Sequence, residues 1–268
     1  MKSISVLIPT FKPGQYFDSC LASIQSQSLC VDSFKVYIGL NGDNEPYYSM
    51  IKNFLCKYTF NSELIYLDTA NVSSTRNKLI NISEEQFIAF IDDDDLISEN
   101  YLEELIQVSD HKHIGVSNFI NFKNNIKNQN SNHIGKSFQV LKSKESSKFK
   151  SRKFLSVVTG KLISRSMIGS TKFNDRINVG EDSMFMAEIS PLVMGVNKVL
   201  DGTACYYVNQ RSGSVTRRKM IKIKELKRIA YILLLYFRMM LSGKYDKIFI
   251  FTRIAATFKH HLKEVIIN

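Results

Sequence analysis

The chain has no glycine-rich phosphate loop: Gly14 is the lone glycine beside its first apolar run, Ile4-Ser5-Val6-Leu7-Ile8-Pro9. This leaves a sugar-nucleotide pyrophosphorylase, which also combines aspartates with a parallel sheet, as the weaker enzymatic reading. No Asp follows that run, where Pro9-Thr10 stands, so a phosphatase with a strand-end aspartyl nucleophile is excluded. The four cysteines, Cys20, Cys30, Cys56 and Cys205, form no CxxC pair and no metal-ligand spacing, and read as reduced thiols. The N-terminus lacks the apolar region and cleavage site of a secretory signal. No apolar run reaches the roughly 20 residues that cross a bilayer. The expected compartment is the reducing cytosol. His111, His113 and His133 stand in polar surroundings and read as surface residues, and no internal repeat is visible.

Apolar residues make up 44% of the 268 and charged residues 23%, which favours a folded body over disorder or a polytopic membrane protein. The formal charge of +11 is unevenly placed. From Arg217 onward there are thirteen Lys and Arg against Glu225, Asp246 and Glu264, so ten of the eleven net charges lie in the tail. The nearly neutral body argues against a nucleic-acid partner, and no stacking or groove-reading motif is evident. A non-catalytic membrane- or nucleic-acid-binding module remains as the alternative from a different class.

Hydrophobic periodicity predicts alternating strands and helices. Residues 3–8 read as a buried strand ended by Pro9, and 16–26 as a helix with Phe17, Cys20, Leu21 and Ile24 on one face. Strand 34–40, helix 47–58 and strand 63–67 follow, then a helix capped by Ser73-Ser74 and running to Ile82. Gln86 to Ile91 is apolar on both faces and reads as a central strand. Later stretches predict a helix over 98–108, a mobile loop over 121–132, a strand over 154–163, and a helix from Ser183 to Ile189. Two basic amphipathic helices, 221–240 and 245–265, close the chain. The order implies an α/β fold with a mostly parallel sheet and flanking helices.

The central strand delivers Asp92-Asp93-Asp94-Asp95 at its C-terminal end, where open α/β sheets bind ligands. Adjacent carboxylates repel one another, and a hard divalent ion, Mn²⁺ or Mg²⁺, is the natural partner for oxygen donors. In an extended segment Asp92 and Asp94 share a face, which gives the D-x-D spacing its sense, while Asp93 and Asp95 support the turn and the next helix.

Four segments taken together, Ser5-Val6-Leu7-Ile8-Pro9-Thr10-Phe11, Ser74-Thr75-Arg76-Asn77, Phe90-Ile91-Asp92-Asp93-Asp94-Asp95 and Gly180-Glu181-Asp182, resemble the family 2 glycosyltransferases. These are nucleotide-sugar-dependent enzymes of the GT-A fold, and the resemblance covers residues 1–215. It implies a nucleobase pocket at Pro9, Thr10 and Phe11, ribose contact by Asp92 beside Asp93, metal binding by Asp94, and Arg76 near the donor diphosphate. Asp182 would be the base that deprotonates the acceptor, with Glu181 orienting it, in an inverting, metal-dependent transfer from a UDP-sugar. Where the family has an acidic pair after its second strand, this chain has Leu40-Asn41-Gly42-Asp43, which makes Asn41 and Asp43 the candidates for the base edge. Arg211, after a tyrosine-rich run, is a candidate diphosphate contact.

Residues 216–268 lie outside the resemblance. Their apolar core, Ile229 to Phe237, flanked by Lys and Arg, suits the interface of an anionic membrane. The alternative is an amphipathic pair packed on the catalytic domain. With a lipid-linked glycan acceptor, the former would place the protein at the inner face of a bacterial cell membrane, extending a surface polysaccharide.

Overall fold

The computed structural model describes residues 3–123, 125–210 and 222–266. The elements are β1 (Ile4–Thr10), α1 (Tyr16–Gln25), β2 (Phe34–Asn41), α2 (Tyr47–Leu55), β3 (Ser62–Leu67), α3 (Val72–Ile82), β4 (Phe87–Phe90), β5 (Leu96–Ile97), α4 (Tyr101–Val108), β6 (His113–Val116), β7 (Asn118–Lys123) and β8 (Asn125–Ser131). There follow α5 (His133–Gln139), β9 (Lys144–Glu145), α6 (Lys148–Ser151), β10 (Lys161–Ser164), α7 (Arg165–Ile168), α8 (Glu181–Ile189), β11 (Gly195–Lys198), β12 (Cys205–Asn209), α9 (Lys222–Leu241) and α10 (Lys247–Ile266).

The main sheet has the order β3-β2-β1-β4-β10-β6-β11-β9. Its first four strands are mutually parallel, with Ile4 opposite both Phe34 and Phe87. β10 runs antiparallel to both of its neighbours, and β11 is parallel to β6. All seven residues of β1 and all four of β4 are buried. Because alternate side chains point to opposite faces, this burial means that the centre of the sheet is covered on both sides. A second sheet has the order β5-β12-β7-β8.

Three expectations give way. Residues 121–132 are not a loop: β7 and β8 form an antiparallel hairpin, with Ile120 opposite Ser131. Every residue of β8 is exposed, so no burial imposes the alternation that would announce a strand. The stretch 154–163 is also not one strand, because a 3₁₀ turn (Phe154–Ser156) precedes β10. Gly160, at φ +68°, makes the break, and a Cβ there would meet the Phe119 ring at 2.0 Å. Finally, α3 is capped two residues early by Asn71, whose side chain accepts from Ser74 N–H at 3.0 Å. Ser73 is buried inside the helix instead.

The two C-terminal helices form close to the expected bounds and pack on each other. α9 also packs on the body through Ile232, Tyr236 and Met239, all buried. Among the described residues no helix is long and apolar enough to cross a membrane.

Candidate functional site

The four aspartates form a β-turn closed by Asp95 N–H donating to Asp92 O at 3.1 Å. Asp93 and Asp95 are buried, while Asp92 and Asp94 remain partly open. The inward pair fastens the turn to two sheets. Thr10 Oγ1, at the end of β1, donates to Asp93 Oδ2 at 2.5 Å, and Asn209 N–H, at the end of β12, donates to Asp95 Oδ1 at 2.8 Å. Asp92 N–H donates to the hydroxyl of buried Tyr206 at 3.0 Å. Burial pushes the Asp95 carboxyl well up, helped by Asp92 and Asp94 and opposed by the hydrogen bonds from Asn209 and Tyr206.

Opposite the turn stands Arg76, placed on the inner face of α3 by the helical spacing that also buries Thr75, Leu79 and Ile80. Only 4% of its side chain is exposed. Its guanidinium meets Asp92 Oδ1 at 3.2 Å, Asp182 Oδ1 at 2.6 Å and Glu181 Oε1 at 3.4 Å. Burial works against the guanidinium's charge, but Asp182, Asp92 and Glu181 outweigh it, and its pKa rises further. Burial raises Asp92, with Asp182 and Asp94 adding to it against Arg76, and burial and Asp182 raise Glu181. One guanidinium therefore faces an excess of carboxylates.

Glu181 and Asp182 reach this place because Gly180, at φ +93°, turns the chain into the first turn of α8. Below Arg76, the Phe173 ring lies 5.3 Å from the guanidinium carbon and stacks on Phe185 at 3.9 Å. Asn77 holds the Phe173 backbone from both sides, accepting from its N–H at 2.7 Å and donating to its carbonyl at 2.9 Å. The Ser74-Thr75-Arg76-Asn77 segment thus supplies the ion-pair hub and also the residue that fixes the hub's aromatic floor.

Thr10 and Asn41 are buried and turned inward, Asn41 Nδ2 donating to Thr10 O at 2.8 Å. Pro9 is buried as well, and Asp93 faces the protein. Phe11 is open, and Asp43 pairs with Lys12 at 2.9 Å on the rim. Arg76 is committed to carboxylates rather than standing open, and Arg211 lies outside the described residues.

A divalent ion suits this donor set, because the carboxylates are hard oxygen ligands in excess of the positive charge beside them. Among the described residues no three His, Cys, Asp or Glu side chains converge as a complete metal group. Mg²⁺ sites commonly use one or two carboxylates and complete the shell with substrate phosphate and water.

Lys161 has no counterpart in the sequence reading. It is fully buried in β10 and donates to Val157 O at 2.5 Å and Thr159 O at 2.9 Å. Between those carbonyls, Val158 N–H faces Asp182 Oδ2 at 3.4 Å. Burial lowers the lysine pKa to about 7, against the pull of Asp182. Unfolded, the group titrates near ~10.4, so between these values the unfolded chain binds the extra proton. The cost of burying Lys161 is fully present below about pH 7 and fades as the pH rises towards ~10. Urea unfolding should show wild type gaining stability relative to Lys161→Met over that interval. A flat difference would exclude a lysine held near neutrality.

Residues 5–170 match the family described as Glycosyl transferase family 2. The poly(ribitol-phosphate) beta-N-acetylglucosaminyltransferase TarP of Staphylococcus aureus is 28% identical over 107 residues, 39% of this chain and 32% of that protein. The chain spans about a third of the length of such curated relatives. Among solved structures, residues 1–349 of S. aureus TarS in complex with UDP-GlcNAc superpose with a TM-score of 0.75 at 16% identity, covering 98% of this chain and 73% of that one. The mannosyltransferase PcManGT of Pyrobaculum calidifontis, in complex with GDP-Man and Mn²⁺, gives 0.67 at 10% identity, covering 98% and 74%. At these identities the structural likeness concerns the fold, which is GT-A.

Proposed function

Because the chain belongs to glycosyl transferase family 2, we propose that it moves a sugar from a nucleotide-diphosphate donor, of the UDP-sugar class, to a glycan acceptor. The observation that carries this reading is the buried guanidinium of Arg76, which ties the strand-end Asp92 to Glu181-Asp182 in one network. Such a network joins a donor-phosphate side to an acceptor side, as glycosyl transfer requires.

Asp182 is the base. Arg76 holds its Oδ1, and its Oδ2 takes the proton of the acceptor hydroxyl. The acceptor oxygen then forms its bond to the anomeric carbon while the bond from that carbon to the diphosphate oxygen breaks. Attack from the face opposite the leaving group inverts configuration. Asp94 is the residue that would hold a Mn²⁺ or Mg²⁺ ion, which would supply positive charge against the departing diphosphate. Asp92 meets the ribose side, and Glu181 fixes the pair and borders the acceptor. Phe11 and the Lys12–Asp43 pair form the rim for the nucleobase.

That TarP glycosylates poly(ribitol-phosphate) supports a bacterial surface polysaccharide as product, and the basic, amphipathic C-terminal helices suit a lipid-linked acceptor at the inner face of the membrane. Nucleotide sugars tested with Mn²⁺ for thermal stabilisation and slow donor hydrolysis should single out one donor. Absence of both effects across UDP-, GDP- and TDP-sugars would overturn the transferase reading and favour a non-catalytic module.

A further inference from the structure

We propose that the outward face of the α9–α10 pair docks on an anionic lipid surface. This deepens the reading above, on which it rests only for the lipid-linked acceptor. The inner face of α9 is committed: Arg228 donates to Val179 O, Asn174 Nδ2 donates to the Tyr231 hydroxyl at 3.1 Å, and the Tyr236 hydroxyl lies 3.1 Å from Ser183 Oγ. α10 buries Phe249, Ile250 and Ile254.

The other face is apolar and open. On α9, Leu234, Phe237 and Leu241 follow a helical spacing of three and four, and on α10, Ile248 and Phe251 begin a stripe that continues to Phe258. Leu241 is 85% exposed and Phe251 63%. Ordinary helix surfaces carry such residues singly, and a run of them on two packed helices marks a face that meets something apolar.

Charge selects the occupant. Lys227, Arg238, Lys244, Lys247 and Lys259 are exposed on the same two helices and their connection, against exposed Asp246. A second copy meeting this face across a two-fold axis would bring like charges together. A bilayer bearing anionic headgroups accepts the apolar stripes at the acyl boundary and the lysines at the headgroups. α9 also holds the turn that carries Glu181 and Asp182, so docking brings the proposed base to the surface where a lipid-linked acceptor resides.

The test is co-sedimentation of the full chain with phosphatidylcholine vesicles, with and without phosphatidylglycerol. Wild type is expected to pellet only with the anionic vesicles and to be released by high salt. Phe237→Ser/Phe251→Ser is expected to bind at least about tenfold more weakly and to keep the wild-type melting temperature, since both side chains lie on the open face. No pelleting at physiological salt, or equal pelleting of the double variant, overturns the proposal. So does a dimer in light scattering that the double variant dissolves while vesicles stay unbound. Donor binding measured on the same samples separates a failure of docking from a failure of the transferase reading, because vesicle binding needs no turnover.

Discussion

Asp182→Asn is expected to lower kcat by about 10²–10⁴-fold while leaving nucleotide-sugar affinity intact. The amide keeps the size of the carboxylate, and its oxygen can still accept from Arg76, which now meets Asp182 Oδ1 at 2.6 Å. What disappears is the capacity to take a proton, together with the long 3.4 Å contact from Val158 N–H to Asp182 Oδ2. The Asn nitrogen also carries no charge, so repulsion with Glu181 and Asp92 falls and the fold should not suffer. Calorimetry for donor binding and single-turnover measurement for transfer separate the two effects. Undiminished turnover would remove Asp182 from the mechanism, and equal losses in binding and turnover would make it a donor ligand.

Arg76→Met is expected to be the most damaging single change to stability. It strips the positive partner from three carboxylates, of which Glu181 and Asp182 are mostly closed to water and Asp92 is partly open. Breaking a buried pair in this way costs about 3–5 kcal/mol, which for a domain of this size lowers Tm by about 10 °C. The charges left behind are the cause, so removing them should help. In a Glu181→Gln/Asp182→Asn background the same Arg76→Met change should cost markedly less. If thermal unfolding gives equal losses in both backgrounds, the damage comes from lost packing on Phe173 and not from stranded charge.

The sheet centre and the aspartate turn were legible for a common reason. β1 and β4 are buried on both faces, so their sequences are continuous apolar runs, and the turn follows at the strand end where ligands bind. β8 was illegible because neither of its faces is buried and its Asn and Lys residues resemble a loop. Lys161 stood in an apolar run that reads as an ordinary strand, since a buried ammonium satisfied by two carbonyls from its own loop leaves no periodic trace. Arg76 was singled out for phosphate, yet its partners Glu181 and Asp182 lie more than a hundred residues away, and no local pattern announces such a pairing. Thr10 and Asn41 carry polar groups that suit a ligand, and only the fold reveals that Thr10 donates to Asp93 and Asn41 to the Thr10 carbonyl.

The burial of Arg76 has a consequence for handling the protein. Mobile ions screen charges that share their solvent, with a Debye length of about 8 Å at physiological ionic strength. They have little access to a guanidinium that is 4% exposed. Lys227, Lys247 and Lys259 of α9 and α10, by contrast, stand in open water. Salt strong enough to detach the protein from an anionic surface should therefore leave its ion-pair hub assembled, and the material recovered in a high-salt wash should still bind its donor.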